Sequence, residues 1–301
     1  MQNRETVVTI GNFDGVHLGH RRLFEKVKKR AGAEDMEGVA LTFEPHPASF
    51  LHTDKPVALL LTREEKRAVV ESLGLTYVEK AFTAAFAALS PEAFFAEVLA
   101  PLRCRHLVVG ADFRFGRNGA GDVGAAVRIG ADDGIAVHTV SYVHEGGERV
   151  SSSRIRALVS ACKLSEAATL LGRAYSVGGV VVRGARRGRA LGYPTLNLVP
   201  SPEKLLPPDG VYLTRTVWQG EAYTSVTNVG TNPTFGGQTR VVETHLPDLD
   251  HGTDLYGETV TVSFLGFLRG EVKFDTVEAL RTAILADVAA ARCFFAVNAR
   301  L

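Results

Sequence analysis

The spacing of apolar residues changes character midway along the chain, and no single layer arrangement accommodates both patterns. In the first half, strand-like runs alternate with helix-like ones. Thr6 to Ile10 reads as a buried strand, Leu18 to Arg30 as an amphipathic helix with Leu23, Phe24 and Val27 on one face, and Gly38 to Phe43 as a second strand. Thr62-Arg63-Glu64-Glu65 has the form of a capping box opening a helix through Leu73, and Ser90-Pro91 opens another with proline in its first turn. Arg105 to Gly110 and Ile135 to Val140 read as further strands. Strands separated by helices pair in parallel, so this half predicts an α/β, doubly wound parallel sheet. From Tyr175 onward the runs are short and β-rich: Ser176 to Val182, Gly210 to Trp218, Ala222 to Val229, Arg240 to Leu246 and Thr259 to Leu265, separated by Gly, Pro, Asn and Asp turns. That pattern predicts an antiparallel β-barrel, followed by a terminal helix from Thr276 to about Phe295. Helices around Ser153 to Leu171 join the two regimes, which puts the domains at 1–172 and 173–301.

A chain of 301 residues suits two domains of ordinary size. Its formal net charge of +1 supplies no phosphate-coating surface, so nucleic acid is not an expected partner. Cys104, Cys162 and Cys293 are odd in number and far apart, which fits neither a disulfide framework nor a zinc knuckle and suits a reducing cytoplasm. The opening MQNRETVVTI is a polar lead into a short apolar run, not a signal peptide. No stretch approaches the roughly 18 apolar residues a membrane helix needs, so no membrane is expected.

Chemistry first gathers at Gly11-Asn12-Phe13-Asp14-Gly15-Val16-His17-Leu18-Gly19-His20, after the first strand and at the start of the first helix. A helix N-terminus offers free N–H groups and a partial positive charge to phosphate. Gly11, Gly15 and Gly19 let the backbone come close. His17 and His20, three apart, can face one side of the first turn and stabilise charge on phosphate oxygens. One such histidine alone would be an ordinary surface residue; the pair within a glycine-rich strand–helix turn points to phosphate. At the far end of the same half, Ser151-Ser152-Ser153-Arg154-Ile155-Arg156 combines hydroxyls that can cap a helix with an arginine that can clamp phosphate. In the second half, Gly178-Gly179 through Arg183-Gly184-Ala185-Arg186-Arg187-Gly188-Arg189-Ala190-Leu191-Gly192-Tyr193-Pro194-Thr195-Leu196-Asn197 places a glycine–arginine loop before Pro-Thr-x-Asn. Glycines there free N–H groups for an anion nest, arginines add charge, and Thr195 and Asn197 carry oxygens of the kind Mg²⁺ accepts. A solvated basic hairpin is the plainer alternative.

The first segment resembles the H-x-G-H signature of the nucleotidyltransferase superfamily, whose sheet is Rossmann-like. Three more segments sharpen the resemblance: Thr42-Phe43-Glu44-Pro45-His46-Pro47; Leu61-Thr62 with Glu65-Lys66; and Gly110-Ala111-Asp112-Phe113-Arg114-Phe115-Gly116. Together they look like the FAD synthetase module of bacterial bifunctional riboflavin kinase/FMN adenylyltransferases. The second half resembles the riboflavin kinase module through Gly192-Tyr193-Pro194-Thr195-Leu196-Asn197, Asn228 to Phe235, Val242-Glu243-Thr244-His245-Leu246, Asp254-Leu255-Tyr256-Gly257 and Phe267-Leu268-Arg269. Relative to the family pattern, Ser153 stands for Thr, Tyr193 for Phe, Leu196 for Ala, Asn232 for Arg and Gly270 for Pro.

The resemblance implies phosphorylation of riboflavin to FMN and adenylylation of FMN to FAD, with ATP as co-substrate, Mg²⁺ as cofactor and pyrophosphate released. It implies that His17 and His20 act at the α-phosphorus, with Gly11, Phe13, Asp14, Gly19, Ser152, Ser153 and Arg156 binding ATP phosphates. It places His46, Asp112, Phe113 and Phe115 at the flavin and adenine pockets, although each of the two phenylalanines could equally be core. It gives Gly184, Gly188, Arg189, Gly192, Thr195 and Asn197 to the ATP of the kinase, with Mg²⁺ on Thr195 and Asn197, and it makes Glu243 the general base. Three other readings stay open: a protein with one of the two activities, an aminoacyl-tRNA synthetase-like protein that shares H-x-G-H, and a flavin-binding sensor without turnover.

Overall fold

The computed structural model describes residues 4–51, 54, 57–184, 192–231, 239–250 and 253–297. The chain divides into two compact units, Met1–Ser152 and Ser153–Leu301.

In the first unit, β1 (Thr6–Ile10), β2 (Glu37–Glu44), β3 (Thr76–Ala81), β4 (Cys104–Gly110) and β5 (Ala136–Val140) form a sheet in the order β3-β2-β1-β4-β5. Every pairing in it is parallel. β1 is central and buried along its whole length, which is why its sequence, Thr-Val-Val-Thr-Ile, is uncharged and β-branched throughout. Successive residues face opposite sides. Val7 joins a core with Leu23, Phe24 and Val27 of α1 (Leu18–Ala33) and Val70 of α3 (Arg63–Ser72). Val8 joins a second core with Phe95, Val98 and Leu99, beside Ala126 and Ile129 of α6 (Val123–Asp132). Helices therefore cover both faces, as the alternating pattern predicts. Short helices α2 (Pro47–Leu51), α4 (Ala84–Ala87) and α5 (Pro91–Phe94) lie in the connections, and the last continues through a π turn at Phe95–Leu99.

Four strands of the described residues are absent from the sequence reading: β3, β9 (Thr195–Leu198) and the two-residue antiparallel pair β6 (His144–Glu145) and β7 (Glu148–Arg149). β3 is an edge strand in which only Tyr77 is buried, so Thr76, Glu79 and Lys80 give it no apolar run to recognise. β9 lies within the Pro-Thr-x-Asn motif, and four residues are too few for a period to register.

The second unit opens with α7 (Ser152–Ser160) and α8 (Leu164–Leu171). The division between units falls before the boundary expected at 172, because α8 packs on β8 (Tyr175–Val182) and β13 (Thr259–Arg269). With β9, β10 (Gly210–Trp218), β11 (Glu221–Thr231) and β12 (Arg240–His245), these strands close a barrel in the order β10-β11-β12-β9-β8-β13, all antiparallel. Its interior holds a run of hydroxyls. Thr214, Thr216, Ser225, Thr227 and Thr244 are fully buried and bonded to one another at 2.7–2.9 Å. Each polar atom there has a partner, which offsets its desolvation. On the outside, Val211, Leu213 and Val226 pack against Val288 and Ala291 of α9 (Val277–Val297).

Candidate active sites

In an open α/β sheet, ligands collect outside the carboxyl ends of the strands where the strand order reverses, here between β1 and β4. The Gly11–His20 segment leaves β1 at that point. Its backbone is forced: Phe13 and Val16 have φ of 48° and 41°, and Gly15 of 84°. Such angles are costly for a β-branched residue and persist only where surroundings impose them. The surroundings are visible. The Asp14 carboxylate, 3% exposed, accepts from the N–H groups of Leu60 at 2.9 Å and Leu61 at 3.1 Å. The Ser152 hydroxyl donates to the Asp14 carbonyl at 2.8 Å, joining the two ends of the first unit. Asp14 is thus a structural clamp of the turn.

His17 is the N-cap of α1, and its Nδ1 accepts from the His20 N–H at 3.4 Å. With Nδ1 accepting, a neutral His17 ring carries its proton on Nε2. The His20 ring stacks on His17, centroids 3.7 Å apart and planes 16° from parallel, with the Phe13 ring edge-on to His20 at 5.3 Å. A Cβ at Gly19 would lie 3.0 Å from the His17 ring, and one at Gly11 2.9 Å from the Phe13 ring. Both glycines therefore exist to let these rings come close. Phe13 is 1% exposed, so its ring contributes packing.

Beside this turn opens a cavity of about 400 Å³, lined by Gly11, Asn12, Phe43, Phe82, Phe86, Phe94, Phe113 and Phe115, among others. The volume suits a small-molecule ligand, and the walls suit a flat aromatic one. Phe113 and Phe115 stack on each other at 5.3 Å, and both line the cavity; Phe115 is also core, at 5% exposed. The two roles weighed for them from sequence are compatible. His46 and Asp112 are not among the residues lining this cavity. The His46 Nδ1 accepts from the Ala48 N–H at 3.2 Å, and Asp112 pairs with Arg149 at 2.7 Å.

Sequence reasoning assigned no role to Lys66, and the walls at Phe82 and Phe86 were likewise not anticipated. Lys66 is 6% exposed, and its Nζ donates to the Asn12 carbonyl at 3.4 Å and the Thr42 hydroxyl at 3.3 Å. Burial lowers its pKa, opposed by the charges of Glu44 and Asp14. The signal was its position one residue past a capping box, on the buried face of a helix, where lysine is out of place.

In the barrel, Thr195 and Asn197 lie on the same face of β9, and cross-strand pairing sets Glu243 of β12 opposite Asn197. The Thr195 hydroxyl donates to Glu243 Oε1 at 2.8 Å. Asn197 is 3% exposed, and its Oδ1 is buried without a hydrogen-bond partner among the described residues. An orphaned buried acceptor beside a hydroxyl and a carboxylate fits a hard cation, which takes oxygen ligands. Gly184 covers the group: a Cβ there would fall 2.5 Å from Asn197 Nδ2. Gly184, Thr195, Asn197, Asp250, Asp254 and Tyr256 line a cavity of about 70 Å³, room for a few water-sized groups but not a nucleotide. The His245 Nδ1 bonds the Pro194 carbonyl at 2.9 Å and holds the turn into β9. Gly192 has φ of 85°, which a turn of this kind requires of glycine. Gly188, Arg189 and Asn232 lie outside the described residues. Ser153 and Arg156 belong to the second unit by packing, on α7, the helix that Ser152 opens.

Among the described residues both sites present cradles, donors and oxygens, the groups that phosphate transfer uses. Comparison makes this particular. Residues 1–154 match the FAD synthetase family and residues 171–295 the riboflavin kinase family. Bifunctional riboflavin kinase/FMN adenylyltransferases from Escherichia coli K12 and Pseudomonas fluorescens are 36% and 37% identical, the first over 96% of this chain and 92% of the relative, the second over 99% and 96%. The relative from Bacillus subtilis is 32% identical over 95% of this chain and 91% of its own length. A crystal structure described as a macrolide-efflux protein from Streptococcus pneumoniae has the same fold, with a TM-score of 0.85 and 31% identity, covering 97% of this chain and 95% of that one. The chain belongs to the bifunctional riboflavin kinase/FMN adenylyltransferase family. No helix among the described residues is long and apolar enough to cross a membrane.

Proposed function

We propose that the turn at His17 and His20 adenylylates FMN and that Thr195, Asn197 and Glu243 phosphorylate riboflavin, so that one chain takes riboflavin through FMN to FAD. We assign the first activity to residues 1–172 and the second to 173–301; the family matches at 1–154 and 171–295 support this. The observation that carries the reading is the convergence of Thr195, Asn197 and Glu243 on one face, with a hydrogen bond from the threonine to the carboxylate.

In the kinase, Glu243 takes the proton of the ribityl 5′-hydroxyl, that oxygen attacks the γ-phosphorus of ATP, and the bond to the β,γ-bridging oxygen breaks to release ADP. The Thr195 hydroxyl orients the carboxylate for this step. Asn197 Oδ1 and Thr195 would hold Mg²⁺, which when bound neutralises charge on the phosphates. Gly184, Gly188, Arg189 and Gly192 receive the phosphate tail. In the adenylyltransferase, the FMN phosphate attacks the α-phosphorus and pyrophosphate departs. His17 Nε2 and the His20 ring stabilise the charge, with Gly11 and Gly19 letting phosphate approach and Ser152, Ser153 and Arg156 holding its distal part. Phe113 and Phe115 wall the flavin pocket; His46 and Asp112 hold the segments that border it.

The substrates are small molecules. The net charge of +1 supports no role for nucleic acid, and the three free cysteines support a cytoplasmic setting. Purified protein incubated with riboflavin, ATP and Mg²⁺ yields both FMN and FAD on chromatography. FMN without FAD, or no product, overturns the two-site reading.

A further inference from the structure

We propose that Lys66 is a positioning residue of the adenylylation site: its buried ammonium turns the Asn12 carbonyl into the protein, so that the Phe13 N–H faces the triphosphate. The inference rests on the reading that the Gly11–His20 turn receives that triphosphate.

The geometry is local. Lys66 comes from the first turn of α3 and is 6% exposed. Its Nζ reaches the Asn12 carbonyl at 3.4 Å and the Thr42 hydroxyl at 3.3 Å, and that hydroxyl donates to the same carbonyl at 3.3 Å. No carboxylate of a described residue lies within ion-pair distance of it. A buried ammonium without an ion-pair partner destabilises a protein that uses it only for packing. In a planar trans peptide the C=O and the following N–H point in opposite directions. Drawing the Asn12 carbonyl inward therefore aims the Phe13 N–H away from Lys66, and this N–H has no acceptor among the described residues. The peptide precedes Phe13, whose φ of 48° marks the turn as imposed. Gly11 and Asn12 border the cavity, so this peptide lies at the edge of the site, between the flavin pocket and the start of α1. A fixed cation one peptide behind an anion site also favours anion binding directly, because the surroundings are dry.

The test uses the full chain. Lys66→Met keeps the stem and removes the charge; Lys66→Arg keeps the charge. Affinity for pyrophosphate, measured by calorimetry, and KM for ATP in FAD formation are the readouts, with riboflavin phosphorylation as an internal reference. Lys66→Met weakens pyrophosphate binding and raises KM for ATP by about tenfold each, the scale of one partly screened charge interaction, while Lys66→Arg restores both to within about twofold. A folded Lys66→Met variant with wild-type pyrophosphate affinity shows that the lysine only fills space, and the inference fails. If Lys66→Met does not fold by circular dichroism, Lys66→Arg decides alone: a tenfold loss of pyrophosphate affinity in that folded variant overturns the proposal. His20→Ala is assayed in parallel. Undiminished FAD formation by His20→Ala overturns the cradle itself, whereas loss in His20→Ala with unchanged Lys66→Met removes only the role of Lys66.

Discussion

Under the proposed assignment, Glu243 and His20 belong to different activities of one chain, and single substitutions separate them. Glu243→Gln preserves shape but cannot take a proton; riboflavin phosphorylation falls by about 10²–10⁴-fold, while FAD formation from supplied FMN stays unchanged in a steady-state assay. His20→Ala removes a donor poised for developing charge and does the reverse, by about 10²–10³-fold in kcat. Gly19→Ala tests the cradle by crowding a donor without removing it. The added methyl meets the His17 ring at 3.0 Å, so FAD formation drops while thermal stability, followed by circular dichroism, changes little. That His17 and His20 share one turn, and that Thr195 and Asn197 share one strand face, could be read from their spacing. Lys66 was not legible in this way, because its significance lies in what it is buried against, and a helix pattern records only that it sits on a given face. The clamp role of Asp14 was equally invisible: its acceptors' partners, Leu60 and Leu61, are 46 and 47 residues away.

Among elements, those with strong periodicity or caps could be read directly. The capping box at Thr62 and Glu65 is formed in both directions, Thr62 Oγ1 accepting from the Glu65 N–H at 3.3 Å and Glu65 Oε2 from the Thr62 N–H at 2.8 Å. Thr62→Ala therefore costs about 1 kcal/mol of stability in urea denaturation. It also loosens α3, which carries Lys66. The terminal helix is held by more than its apolar face: Asp287, 7% exposed, takes a two-pronged bond from Arg269 at 3.1 and 2.8 Å. Asp287→Ala leaves that arginine unpaired and costs about 2 kcal/mol, read from the same denaturation curves. The edge strand β3 and the four-residue β9 escaped sequence reading because neither buries enough consecutive apolar surface to leave a pattern. The barrel interior shows why alternation alone misleads about which face is inside: hydroxyls of Thr214, Thr216, Ser225, Thr227 and Thr244 occupy it by bonding one another.

For the whole molecule, acid is the condition that distinguishes its parts. In the first unit His106 bridges His138 at 3.1 Å and Glu34 at 2.9 Å. Burial, then the charges of Arg30, His106 and Lys26, push the His138 pKa below its ordinary 6.5. The unfolded chain therefore takes up this proton at a higher pH than the folded one does, and stability falls as pH drops through that window. The midpoint of thermal unfolding at about pH 5.5 lies below that at about pH 7.5, and His138→Gln narrows the difference. A variant with an undiminished difference would show that His138 is not the sensor. The depressed carboxyl of Glu34 contributes its loss only in more acidic solution, below its ordinary 4.5. The sequence by itself determined the two architectures, the glycine-rich strand–helix turn and the Thr-x-Asn motif, because hydrophobic period, capping and glycine placement are local properties of a chain. Only the tertiary structure decided which residues meet: Ser152 with Asp14, Lys66 with Asn12, Glu243 with Thr195. These contacts join distant segments through strand order and barrel register, and burial, which gives each its chemical force, exists only once the chain has closed around it.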